Sequence, residues 1–286
     1  MKIEKLPKPK FPKALLEIPQ PPTDLWIQGE MPPESLIYLC VVGSRKFTSY
    51  GKEACEKIIA GLKGYPIVIV SGLAMGIDAI AHKKALAVGL KTLVFPGSGL
   101  SPSAMYPKTN AKLAEEVVAS GGCLISEFEP NFKATLWSFG RRNRLMAGIS
   151  KATLIIEAAE RSGTLITARL TTEYNRDLLV VPGSIFSPNS QGTNKLLRLG
   201  ATPITSSEDV LDALGFEVEK SEDKQAKLFA DLSPKEKMVV DLLLEPVPRD
   251  DLIRAMKMST PDAQALLSVM EIKELITEEL GEIKLA

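Results

Sequence analysis

The sequence predicts an α/β protein: a doubly wound, mainly parallel sheet over residues 36–215, followed by a small helical domain at 229–286. Three sequence features carry this expectation. Short apolar runs rich in β-branched residues recur through the first region. Helical patterns fill the gaps between them, and Gly/Ser-rich turns stand where a run gives way to a helix. Strands alternating with helices build a parallel sheet covered on both faces, the Rossmann-like arrangement, and such sheets take ligands at the carboxyl ends of their strands.

The elements follow in order. Residues 1–35 hold eight prolines, too many for a regular domain. They read as an extended arm laid on the surface by Leu15, Leu16, Leu25 and Trp26. Strands are expected at LIYLCVV (36–42), IVIV (67–70), KTLVF (91–95), CLI (123–125), TLIIEA (153–158), LLVV (178–181) and a short TPIT (202–205). Each run is too short for a helix. Helices are expected between them, for example at KEACEKIIAGLK and AIAHKKALAVG. The polar stretch FEVEKSEDKQAKL (216–228) reads as a linker. Beyond it, Ser233 as N-cap, Pro234 at the first helical position and Glu236 at the third mark a helix start. RDDLIRAMKM and TPDAQALLSVMEIKELI make two more helices, and ITEELGEIKLA a hairpin around Gly281. Three helices and a hairpin predict a winged helix.

Lysine plus arginine and aspartate plus glutamate both number 35, so net charge says nothing about partners. Its distribution says more. Residues 36–210 hold 20 basic and 13 acidic residues, whereas 228–286 hold 7 basic and 12 acidic. Opposite charge favours different partners for the two regions. Cys40, Cys55 and Cys123 are scattered with no CxxC, as expected of buried reduced thiols. With a single histidine, no zinc or other metal site is expected. No apolar run reaches the roughly 18 residues of a spanning helix, and the N-terminus lacks the apolar stretch of a signal peptide, which places the protein in the cytoplasm.

The turns carry the chemistry. VVGSRKFTSYG, VSGLAMGIDAIAH, FPGSGLSPSAMYPKTN, EAAERSGTLITARL and VPGSIFSPNSQGTNKLL each leave a strand for a helix through glycine. Exposed backbone N–H groups and helix N-termini there make an anion site. A P-loop fails: seven residues, not four, separate Gly43 from Gly51-Lys52, and Glu53 stands where a hydroxyl is needed. A dinucleotide fingerprint fails as well, because Arg45 replaces its second glycine. A polyanion fits better. Arg45, Arg141, Arg142 and Arg144, with Trp137 and Phe139 nearby, combine phosphate-gripping forks with flat rings for stacking, as single-stranded nucleic acid requires. The alternative is a solvated helix N-terminus whose arginines pair with Glu127, Glu129 or Glu157. Asp78 and His82 share a helix face. They form either an acid–base dyad or, on the simpler reading, a turn organiser and a packed residue. Glu127 and Glu157 end strands on the ligand edge, where pairing with the arginines is simpler than catalysis.

Eight blocks between residues 41 and 201 resemble the DNA-processing protein A family (DprA, also called Smf). They are VVGSR (41–45), SGLAMGIDAIAH (71–82), FPGSGL with YP (95–107), LISE (124–127), RNRLMAG (142–148), SGTLITA (162–168), VPGS (181–184) and GTNKLLRLGA (192–201). The arm FPKALLEIPQPPTDLWIQG is similar too. The resemblance implies a cytoplasmic, non-enzymatic homodimer without cofactor. Such a protein binds and protects single-stranded DNA and loads the RecA recombinase onto it during natural transformation. It also implies DNA contacts at Gly43, Ser44 and Arg45, at Ser71-Gly72, at Ser162-Gly163-Thr164, at Lys108, and in the block holding Phe139, Arg141, Arg142, Asn143 and Arg144. Many members carry a helical domain before the arm, which this sequence lacks, so functions specific to that domain are not expected. The fold also resembles the nucleotide phosphoribohydrolases of the "lonely guy" family, whose PGGxGTxxE glutamate assists glycosidic cleavage. Here ERSGTLITA keeps the SGT, but Ala168 and its neighbours hold no acid. A nucleotide-binding hydrolase is therefore the second reading. The third helix of the winged region carries Asp262, Glu271 and Glu274 against Lys273 alone, so that domain is expected to contact protein and not duplex DNA.

Overall fold

The computed structural model describes residues 2–217, 232–243, 245–273, 275–279 and 281–285. Contacts divide the chain into two units, Met1–Val218 and Glu219–Ala286. Most of the expected linker, and Glu274, lie outside the described residues.

The first unit is built on a nine-stranded sheet. Its strands are β1 (Glu4–Lys5), β2 (Trp26–Gly29), β3 (Ile37–Val42), β4 (Ile67–Ser71), β5 (Lys91–Val94), β6 (Cys123–Ser126), β7 (Ala152–Ile155), β8 (Asp177–Val180) and β9 (Thr202–Pro203), in the order β1-β2-β6-β5-β4-β3-β7-β8-β9. The seven strands from β3 to β9 pair parallel throughout. The helices are α1 (Lys13–Leu16), α2 (Ser49–Gly61), α3 (Ile77–Ala87), α4 (Ala111–Ala119), α5 (Leu136–Ile149), α6 (Thr164–Glu173), α7 (Gln191–Arg198) and α8 (Ser207–Ala213).

Period-two alternation sorts the side chains between the two faces. Leu39 and Val41 of β3 point into one core with Ile58 and Ile59 of α2, Ala81 of α3 and Val210 of α8. Tyr38, Cys40 and Val42 point into the other with Leu145, Met146 and Ile149 of α5. All three cysteines are buried free thiols.

The arm does more than the sequence suggested. Its β2 pairs antiparallel with β6 and β1 with β2, so the proline-rich segment extends the sheet's edge. Leu15 and Leu25 are fully buried in the α5-side core beside Phe11 and Ile18, whereas Leu16 is exposed and Trp26 half-buried. The prolines flank the two short strands and leave ladder donors intact, which is how a proline-rich segment can still pair.

The chain runs outward from β3 to β6, then returns to β7 and runs out on the other side. Connections after β3 and β7 therefore diverge, leaving a crevice between them at the carboxyl edge.

In the second unit α9 (Pro234–Leu242), α10 (Arg249–Ala255) and α11 (Thr260–Ile272) pack around Val239, Leu252, Leu267 and Met270. Strand β10 (Val247–Pro248) joins the hairpin of β11 (Ile276–Glu279) and β12 (Glu282–Leu285). The capping box at Ser233 and Glu236 forms as expected.

Burial separates two neighbouring leucines of the arm. Leu25→Ala is expected to destabilise the first unit by about 2–5 kcal/mol. Leu16→Ala is expected to stay within about 0.5 kcal/mol. Urea unfolding of each variant measures the contrast.

Candidate functional site

A trough of about 550 Å³ opens at the crevice between β3 and β7. Gly43–Lys46 form one wall, Arg161–Thr164 with Ile166 another, and Leu136, Trp137, Phe139, Arg142 and Asn143 of α5 close the side. Asp78 also lines it.

Local packing dictates the turn sequences. A Cβ on Gly43 would lie 2.8 Å from the Ile77 side chain, so only glycine lets β3 turn here against α3. The next residue, Ser44, accepts the Lys46 N–H on Oγ at 3.1 Å. Thr164 Oγ1 donates to Gly43 O at 3.1 Å, tying the start of α6 to the end of β3. Asn189 reaches from the loop after β8 to donate to Lys46 O at 2.6 Å. Arg45 is exposed, its guanidinium 5.4 Å from the centre of the Phe139 ring, and Tyr106 lies 5.7 Å from the same ring. Fixed charge and a half-buried ring thus stand side by side.

Two buried residues of opposite charge support this rim from below. Asp78 accepts from the backbone N–H of Gly72 at 3.1 Å and of Ala74 at 3.4 Å. Arg142 donates to Phe95 O and, through Nε, to Asn143 Oδ1 at 3.1 Å. Its guanidinium fills the place of a side chain on Gly72. Burial pushes the Asp78 carboxyl above its ordinary value and the Arg142 guanidinium below its own, with each charge opposing the other's shift. His82 is not part of a dyad with Asp78. Its Nδ1 lies 2.5 Å from Thr92 Oγ1, whose own proton goes to Ile69 O.

The strand-end carboxylates are engaged. Glu157 accepts from Thr48 Oγ1 at 2.6 Å and Thr48 N at 3.0 Å, which anchors α2; it makes no pair with the arginines. It sits so close to Gly51 that a Cβ there would lie 2.3 Å from its Oε2. Glu127 pairs with Arg144 and, at 3.1 Å, with Arg141. Arg144 also donates to Gln20 O at 2.5 Å, joining α5 to the arm.

The structure therefore gathers Gly43, Ser44, Arg45, Phe139, Arg142, Asn143, Ser162, Gly163 and Thr164 around one trough. Gly72 joins Arg45, Phe139 and Arg142 at a small niche beside it. Ser71 is buried, its hydroxyl donating to Val41 O at 2.6 Å. Lys108 is exposed one residue beyond Pro107, which lines that niche, and is itself outside the lining. Arg141 and Arg144 face a different groove, because their positions on α5 turn them away from the trough. Sequence reasoning missed Lys46, Arg161 and Asn189. The first two flank the GSR and SGT turns directly, a signal available in the sequence, whereas Asn189 is brought in by the fold. Among the described residues no cluster suited to a metal ion is present, and no helix is long and apolar enough to cross a membrane.

The family model for DNA recombination-mediator protein A matches residues 3–215. The chain belongs to that family. Smf of Escherichia coli K12 is 38% identical over 206 residues, 72% of this chain and 54% of that protein. The DNA processing protein DprA of Streptococcus pneumoniae R6 is 38% identical over 206 residues, 72% of each. The chain thus spans about half the length of the former. The X-ray structure of pneumococcal DprA superposes with a TM-score of 0.69 at 36% identity, covering 76% of both chains. A solved structure of Helicobacter pylori DprA, a protein that binds single-stranded DNA, gives 0.67 at 32% identity over 74% of this chain and 95% of that one. The family's members are DNA-processing recombination mediators.

His82 gives the first unit a distinct acid response. Burial lowers its pKa from 6.5 to about 3. Below pH 6.5 the unfolded chain binds a proton that the native state refuses, so stability falls as pH drops towards about 3. The loss approaches 1.4 kcal/mol per pH unit, roughly one proton. His82→Gln is expected to remove that one-proton component, read as a shallower pH dependence of urea-unfolding free energy than in the parent chain. Parallel profiles for the two proteins would show that His82 titrates normally.

Proposed function

We propose that this protein binds single-stranded DNA along the carboxyl rim of its sheet, as a non-enzymatic mediator of recombination. The observation that supports it best is the character of the trough: open, walled by Arg45, Lys46 and Arg161, and flanked by the exposed Trp137 and the half-buried Phe139. Phosphates would be held at the GSR and SGT turns, where backbone N–H groups and arginine meet. Bases would stack on the aromatic side, a contact worth about 1–3 kcal/mol each and indifferent to sequence. Lys108 and Gly72 would extend the contact past the Tyr106–Phe139 pair. Arg142 would act at its floor, while Ser71 and Arg144 would support the rim from within.

The hydrolase reading lacks a free acid. Asp78 is the carboxylate lining the trough, and it holds the Gly72 turn. Glu157 is bound to Thr48.

By the same reading the protein works in the cytoplasm, forms a homodimer through its sheet domain and hands the strand to the RecA recombinase. The second unit serves as a winged helix that contacts protein. Its Lys273 is paired with Glu236 at 2.7 Å and its Arg249 with Glu271 at 2.9 Å, and acidic residues outnumber basic ones 12 to 7 over 228–286, a balance that disfavours a duplex. Val269 and Ile272 of α11 are exposed apolar residues suited to a protein contact.

Two arginines separate the roles. Arg45→Ala is expected to weaken oligo(dT) binding and lower the slope of log affinity against log salt by about 0.7, the single-strand value for one phosphate. Arg144→Ala is expected to leave that slope intact and to destabilise the fold by about 1–3 kcal/mol, since it leaves the buried Glu127 to Arg141 alone and removes the bond to Gln20. Salt-titrated fluorescence anisotropy and thermal unfolding read the two effects. An unaltered slope in Arg45→Ala would remove the phosphate role.

A further inference from the structure

The trough does not end at Trp137. A second groove of about 560 Å³ begins on its far side, between α5, α6 and the arm. The two share Trp137, Gly140 and Ile166, so those residues form a low saddle between them. Trp137 is 54% exposed and Ile166 41%.

The second groove is cationic with an aromatic lining. Arg141, Arg144 and Arg169 face it together with Tyr174 and Glu173. Glu127 is shared between Arg141 and Arg144, so three guanidinium groups meet two carboxylates. The Arg141 guanidinium lies 5.9 Å from the centre of the Trp137 ring and meets Glu127 through Nε, and half of the side chain is exposed. Among the described residues Arg169 is tied only to Glu173, at 3.4 Å between two exposed side chains. Such a pair contributes little and yields to a better anion.

We infer that a bound single strand leaves the rim over the Trp137–Ile166 saddle and continues into the α5–α6 groove, where Arg169 and Arg141 hold its next phosphates. This rests on the rim being the DNA site. It follows from continuity of the two grooves and from charge. A flexible strand crossing an indole keeps one base stacked there, and the next phosphate arrives where these exposed arginines stand. A closed single-nucleotide pocket would need no such exit.

The inference sets a length dependence. Affinity for oligo(dT) of graded length is expected to rise in two stages, the first reporting the rim and the second the groove. Arg169→Gln is expected to abolish most of the second stage and to lower the salt slope by about 0.7 for long oligonucleotides only. Arg169→Lys, which keeps the charge, is expected to restore both. Arg169 is an exposed residue of α6, so folding is not at issue. Superimposable length profiles for Arg169→Gln and the parent chain would overturn the inference while leaving the rim in place, and that is also the outcome if the groove receives an acidic protein segment. A parent chain that binds no oligo(dT), or an Arg45→Ala variant that binds every length normally, would remove the rim and the groove with it.

Discussion

Two buried opposite charges, Asp78 and Arg142, set about the Gly72 turn, are the constraint on which the rim depends. Asp78 caps the turn after β4, and Arg142 reaches from α5 across Gly72 to the end of β5. Two helices and two strand ends are registered at one point. Both ions titrate away from their charged forms because they have left water, so their attraction does not fully offset desolvation. What they fix is geometry. The turn they hold includes Leu73 at φ +60° and Gly76 at φ +88°, a left-handed path that needs anchoring.

Placing one arginine under the floor explains how the α5 cluster divides its work. Successive residues on a helix point about 100° apart, so the block Arg141–Arg144 cannot face one ligand. Arg142 goes beneath the rim, Arg144 goes to Gln20 of the arm and to Glu127 at the end of β6, and Arg141 stays at the surface. The exposed charge of the trough comes instead from Arg45, Lys46 and Arg161, on the loops that diverge at the β3–β7 crevice. Loops placed by a rigid sheet can offer charge without burying it, whereas a helix packed on the core cannot.

Much of this was legible in the sequence. The seven parallel strands fall where β-branched runs stand between glycine turns, because period and composition act locally. The GSR and SGT turns were legible for the same reason. The arm was not: pairing of β2 with β6 joins residues about a hundred positions apart, and its prolines masked two short strands. The fates of Arg142 and Arg144 were equally hidden, since charge pattern does not reveal which side of a helix meets the core. Glu157 carried no signal of its partner, Thr48, which lies on a different βα turn.

The central claim is that a single strand lies on the carboxyl rim of the sheet. Hydrogen exchange of the full chain, with and without saturating oligo(dT), tests it most directly. The account predicts slowed exchange in residues 43–48, 72–76, 136–142 and 161–167, with little change at the opposite edge of the sheet. Protection confined to residues 232–285, or absent from the turns after β3 and β7, would contradict it.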